Sequence, residues 1–341
     1  MAAEGRAMTW AVLFLASAAV VVLAGTVLSR QGDAIAERTG IGRVWIGSIL
    51  LAGATSLPEL ATDVSAVRLG AADLAAGDLF GSSMANMLIL AVIELVAPRR
   101  QVFRKVTLDH ALAACLALVV TASALVLVVL RPSGAWLGVV PPSTPLLVAY
   151  ALGTRAVYRH VSRAGDREGP PAMVIPRASA APPLGAALAR FAAAALVILL
   201  ASPLFALSAK EIAVLTGLGD SVVGAWLVGL STSLPELVTS LAAVRMGALD
   251  LAVGNLFGSN GFNMAIFLAL DLASPGGSVF ASLSPVHVVT GLFGVLLTGL
   301  GLAAIVYRAE RRFAMVEPDA LLIVVAYFVG LGAIGLYAAR I

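Results

Sequence analysis

Apolar runs of about twenty residues recur along this chain, broken by charged residues or by Pro and Gly. Each run is long enough to cross a hydrocarbon core ~30 Å thick as a helix. Ten spans are predicted, near residues 9–29, 43–68, 73–97, 108–130, 143–159, 185–208, 221–245, 249–272, 285–307 and 318–339. The longest polar stretch, Arg159 to Pro183, splits them into five plus five. This predicts an all-α membrane protein with a first repeat at 1–160, a cytoplasmic linker at 161–183 and a second repeat at 184–341. The first apolar run, Met8 to Leu28, exceeds the usual signal-peptide core and has a counterpart near Leu188–Leu207, so it counts as a span.

Composition agrees. Of 341 residues 60% are hydrophobic and 12% charged, half the charge of an average soluble domain. The net charge of +3 does not mark a nucleic-acid binder, because Lys and Arg sit in loops between apolar runs. The single Cys115 precludes an intramolecular disulfide. His110, His160 and His287 are scattered, form no zinc-like motif and read as structural or interfacial. With the N-terminus outside, only Arg6, Arg68, Arg131, Lys210 and Arg340 fall on the outer face, which leaves 17 of the 22 Lys and Arg inside. By the positive-inside rule both termini face out, in a multi-pass protein of the cell (inner) membrane.

The halves repeat each other. Shifted by 177 residues, GSILLAGATSLPELATDVSAVRLGAADLAAGDLFGSSMAN from Gly47 falls without gaps on GAWLVGLSTSLPELVTSLAAVRMGALDLAVGNLFGSNGFN from Gly224, with about half of the positions identical. Five spans is an odd number, so the second copy enters from the opposite side. This is the inverted-repeat plan of secondary transporters, with the substrate site near the midplane between the repeats.

Glu59 and Glu236 fall in the middle of apolar runs. A carboxylate at that depth costs about 2.5–3.5 kcal/mol on insertion scales, and no Lys or Arg in an apolar run is available to pair with it. Pro58 and Pro235 precede the glutamates and loosen carbonyls one turn back, near Ala54, Thr55, Leu230 and Ser231. Thr55, Ser56, Thr232 and Ser233 add hydroxyls. In the following segment Ser82 and Asn86, like Ser259 and Asn263, are four apart on one helix face. Carboxylates, hydroxyls and carbonyls form an all-oxygen set suited to hard cations.

The paired TSLPE and GSxxxN motifs resemble the two α-repeats of the calcium/cation antiporter superfamily, the sodium/calcium exchangers and their prokaryotic relatives. The resemblance covers about fifty residues in each half. It implies ten helices, of which the first and sixth slide against the other eight. It also implies a ligand set of Thr55, Ser56, Glu59, Ser82 and Asn86 with Thr232, Ser233, Glu236, Ser259 and Asn263, and the main-chain carbonyls of Ala52 and Gly229 as weaker candidates.

The implied function is a secondary antiporter that exchanges Ca2+ for Na+ by alternating access. The alternatives are a Ca2+/H+ or other cation/proton antiporter, or a passive cation channel. An enzyme is not expected, nor is a cofactor or an obligatory protein partner; the partners are calcium, sodium and the lipid bilayer. Two positions depart from the family pattern. Asp78 and Ser83 stand where the second copy has Asn255 and Asn260. Asp78 either tunes the site, caps a helix or pairs with a loop arginine. Asp63, facing Ser240 in the alignment, reads as structural, and the matched Asp73 and Asp250 read as helix caps.

Overall fold

The computed structural model describes residues 2–97, 100–134, 139–167, 182–215, 232–308 and 317–340. Every assigned element is a helix: α1 (Ala2–Thr39), α2 (Arg43–Thr55), α3 (Leu57–Arg68), α4 (Ala72–Val96), the short α5 (Val102–Lys105), α6 (His110–Leu130), α7 (Thr144–Arg167), α8 (Leu184–Leu215), α9 (Leu234–Met246), α10 (Leu249–Ala273), α11 (Val286–Tyr307) and α12 (Pro318–Ala338). Among the described residues seven helices are long and apolar enough to cross a membrane, and α2 with α3 makes an eighth, broken span.

The two other predicted spans are accounted for differently. Residues 221–231 of the span near 221–245 lie outside the described residues, which leaves α9 as its second half. The span near 143–159 is α7, which continues to Arg167 with Arg155, Arg159 and Arg163 along it and so fails the test of composition. Its last turns occupy the first residues of the predicted linker, and 168–181 lie outside the described residues.

Burial sorts the helices. α4 and α10 are largely enclosed, whereas α1 and α12 expose most of their length. Met8, Val12, Leu15 and Leu23 of α1 are exposed, as suits a lipid-facing surface. The 38 residues of α1 make a rod about 57 Å long. It lies along α8, with Phe14 stacked on Phe205 at 4.6 Å, and against α9, where Ser29 Oγ donates to Thr239 O at 2.5 Å.

Small residues let α2 cross α10 backbone to backbone. A Cβ on Gly258 would lie 2.2 Å from Ser48 O, and one on Gly254 2.9 Å from Val44 O. On the α2 side of this crossing, Ile46–Leu51 widens into a π-helical turn, a local unwinding often found at functional sites.

The buried apolar side chains divide into two clusters. α4 gives Leu79 and Phe80 to one and Met84 and Met87 to the other; α10 gives Met264 and Phe267 to one and Leu256 and Phe257 to the other. Between these contributions sit Ser82 and Ser83 on α4, and Ser259, Asn260 and Asn263 on α10. The fold therefore encloses a polar layer between two apolar ones.

Candidate functional site

Both TSLPEL segments break their helix in the same way. Ser56 has φ −90° and ψ 8°, and Ser233 has φ −86° and ψ 9°. Proline follows two residues later and cannot donate to the carbonyl four residues back, so α3 leaves α2 at a bend of 43°. The glutamates fall in the first turn after each break. Thr62 Oγ1 donates to Pro58 O (2.6 Å) and Glu59 O (3.2 Å); Thr239 Oγ1 repeats this with Pro235 O (2.7 Å) and Glu236 O (3.2 Å).

Glu59 is 2% exposed and Glu236 1%. They come from opposite repeats of the chain. Neither forms an ion pair among the described residues. Ser56 Oγ donates to Glu236 Oε1 at 3.3 Å, and Thr55 Oγ1 donates to Asn255 Oδ1 at 3.3 Å, so the TSLPE motif of the first repeat bonds into the second at two points. Ala52 O, one of the weaker ligand candidates, accepts from Ser56 N (3.0 Å) and Thr55 Oγ1 (3.2 Å). The other, Gly229, lies outside the described residues, as do Leu230 and Ser231.

Ser82, Asn86, Ser259 and Asn263 are all buried. Asn86 Nδ2 donates to Asn260 Oδ1 at 2.9 Å, which turns its Oδ1 away from that bond. Seven buried oxygens of the expected residues then have no hydrogen-bond partner: Glu59 Oε2, Glu236 Oε2, Ser82 Oγ, Asn86 Oδ1, Ser233 Oγ, Ser259 Oγ and Asn263 Oδ1. Buried polar atoms are partnered in the great majority of cases, and each orphan costs about 1–3 kcal/mol. A cluster of orphaned oxygens, two of them on carboxylates, fits a hard cation. Among the described residues no three His, Cys, Asp or Glu are arranged to hold a metal, so hydroxyl and amide oxygens would have to share the coordination.

Several polar residues of this layer carry no family motif that singles them out. Asn255 Nδ2 donates to Thr239 Oγ1 and Ser240 Oγ, at 3.1 and 3.0 Å. Asn260 joins Asn86 to Ser83 O (3.2 Å) and Thr298 Oγ1 (3.3 Å), and so ties α4, α10 and α11 together. The repeat alignment placed Asn255 and Asn260 beside Asp78 and Ser83, but only the contacts show that they span the two halves.

Among the described residues Asp78 neither caps a helix nor meets an arginine. Its Oδ1 accepts from Thr232 Oγ1 at 3.1 Å, which places it at the edge of the site. Asp73 and Asp250 were expected as helix caps but bond instead to loop amides ahead of other helices. Asp73 Oδ1 accepts from Ser284 N (2.7 Å), just ahead of α11, and Asp250 Oδ1 from Thr107 N (2.9 Å), just ahead of α6.

Comparison with known proteins agrees with this fold. The NCX_Mj sodium-calcium exchanger structure obtained in 10 mM Na+ and zero Ca2+ superposes with a TM-score of 0.69 over 96% of this chain and 99% of that one, at 22% identity. Inner membrane protein YrbG of Escherichia coli K12 is 29% identical over 244 residues, 70% of this chain and 71% of that one. Sodium/calcium exchanger MaX1 of Methanosarcina acetivorans is 46% identical over 57 residues, 17% of this chain and 16% of that one. The family model described as sodium/calcium exchanger protein matches residues 9–155 and 186–339, which take in both glutamate motifs and both GSxxxN segments. With most of the chain matched on either side of the linker, this protein belongs to the sodium/calcium exchanger family.

Proposed function

We propose that this chain exchanges Ca2+ for Na+ across the cell (inner) membrane by alternating access, with ten helices arranged as two inverted repeats of five. The observation that carries this reading is the pair of buried glutamates, one from each repeat, set among orphaned hydroxyl and amide oxygens. Two carboxylates match the charge of one Ca2+, or of two Na+ in its place. Thr55, Ser56, Ser82, Asn86, Thr232, Ser233, Ser259 and Asn263 complete the coordination in turn, with Ala52 and Gly229 carbonyls at its margin.

The peripheral α1–α8 pair is the element that slides. It lies outside the enclosed α4 and α10, and α1 touches the site-bearing α9 through Ser29 and Thr239. Asn86 and Asn263 add dipoles and no charge, so K+ has no carboxylate of its own within this ligand set.

The test is calcium uptake by proteoliposomes loaded with Na+, with K+ absent and a protonophore present. Uptake that requires outward Na+ and ignores the protonophore supports the reading. Uptake that survives replacement of Na+ by choline under a pH gradient makes the protein a Ca2+/H+ antiporter. Uptake that needs no counter-cation makes it a channel.

A further inference from the structure

The first repeat holds two carboxylates that the second lacks. Asp63 on α3 occupies the place of Ser240, and Asp78 on α4 the place of Asn255. In the second repeat the Asn255 amide satisfies this corner: Nδ2 donates to Thr239 Oγ1 and Ser240 Oγ, and Oδ1 accepts from Thr55. The first repeat reproduces only the last of these bonds, from Thr232 Oγ1 to Asp78 Oδ1. The two N–H donors have no counterpart, because an ionised carboxylate only accepts.

What remains is a corner of acceptors. Asp63 is 3% exposed, and its Oδ2 is buried with no hydrogen-bond partner. Asp78 Oδ2 is likewise buried without one. Thr62, the counterpart of Thr239, directs its single hydroxyl hydrogen to Pro58 O and Glu59 O, so its oxygen offers only lone pairs to other neighbours. Asp63 and Asp78 stand on the packed helices α3 and α4, at the positions where Ser240 and Asn255 meet at 3.0 Å in the second repeat, and neither forms an ion pair among the described residues. Like charges held together in a poorly hydrated corner repel strongly. A cation in the place of the missing amide hydrogens would relieve that repulsion and give each orphaned oxygen a partner. The corner is also reachable: Thr62 is exposed, whereas Thr239 is fully buried.

We propose that Asp63 and Asp78 form a second cation site beside the Glu59–Glu236 centre, one that holds a sodium ion with hydroxyl oxygens of Thr62 and Thr232. It rests on the antiport reading for its place in a transport cycle, though not for its ligands. Both of its carboxylates come from one repeat, so it makes the two faces of an otherwise duplicated centre unequal.

Rewriting the first repeat in the terms of the second tests this. The double variant Asp63→Ser with Asp78→Asn restores the serine–asparagine pair seen at Ser240 and Asn255, and thermal unfolding checks that it folds. Equilibrium binding of radioactive sodium to the purified full-length protein is then counted for wild type and variant. The expected result is one sodium fewer per chain in the variant and a less steep saturation curve. Equal sodium counts, or no sodium bound by either protein, would overturn the proposal. If the double variant does not fold, Asp63→Ser alone is counted in the same way and read by the same outcomes. Calcium uptake by wild-type proteoliposomes runs in parallel. A drop of one sodium without sodium-driven uptake would sink the exchange reading and leave the second site standing.

Discussion

His287 Nε2 lies 2.8 Å from Asp73 Oδ1, and the same pairing recurs at the repeat offset of 177 residues, with His110 Nε2 3.0 Å from Asp250 Oδ1. Each pair joins one repeat to the other, and the two sit at opposite ends of the molecule, because the first half of α4 packs with the second half of α10 and the second half of α4 with the first half of α10. Neighbouring bonds follow the same offset. Arg131 Nη2 donates to Leu283 O at 3.2 Å, and Arg308 Nη2 donates to Val106 O at 2.8 Å. These clamps tie α4, α6, α10 and α11 together.

The clamps are not equal in strength. His110 is fully buried and Asp250 is 26% exposed at its side chain, whereas Asp73 is 56% exposed. Asp250→Ala strands a buried imidazole and the Thr107 amide, at an expected cost of about 1–3 kcal/mol. Asp73→Ala leaves water able to take its place and should cost less. Thermal unfolding of the two purified variants checks the order; a larger loss for Asp73→Ala would contradict it.

Glu59→Gln and Glu236→Gln should each reduce calcium exchange to the background of empty liposomes while the protein still folds. Each change removes half of the charge that faces a divalent ion and leaves the side-chain volume unchanged. The check is radioactive calcium uptake together with size-exclusion profiles of the purified variants. Wild-type uptake by either one would refute the site.

Gly258→Ala should prevent folding or destabilise by at least the ~3 kcal/mol upper end of ordinary overpacking, since its methyl meets backbone at Ser48 rather than a movable side chain. Gly53→Ala is the control, because its methyl would find only Phe262, at 3.8 Å. Expression yield and melting temperature distinguish the two. Equal tolerance would mean that α2 and α10 do not cross as described.

The orientation is open to labelling. In a Cys115→Ala background, Ser133→Cys should react with an impermeant maleimide on intact cells, and Lys105→Cys only after lysis. The reverse pattern would invert the topology, and with it the side on which Asp63 and Asp78 lie.

Much of this protein was legible along the chain because its determinants are local or duplicated. Runs of apolar residues fix the membrane class, since a helix must cover ~30 Å of hydrocarbon whatever its neighbours. The proline–glutamate pairs fix two helix breaks, which depend only on a missing N–H. The duplication could be read because TSLPEL and LFGS survive unchanged in both copies.

Where the signal was weak, the reason is also local. α7 mixes arginines with apolar residues, and nothing in Ile46–Leu51 announces a π turn. The histidines looked scattered although their offset matches the repeat, because the surrounding segments have diverged.

The sequence by itself determined a membrane protein of two related halves with a carboxylate in each, since composition, proline and repetition act within a turn or two of chain. Only the tertiary structure decided which polar groups meet. The bonds from Thr55 to Asn255, Ser56 to Glu236 and Asn86 to Asn260 span 174 to 200 residues. Asp78 met Thr232 instead of an arginine for the same reason. Partners so far apart are brought together by the packing of one half against the other, and no periodicity along the chain encodes that geometry.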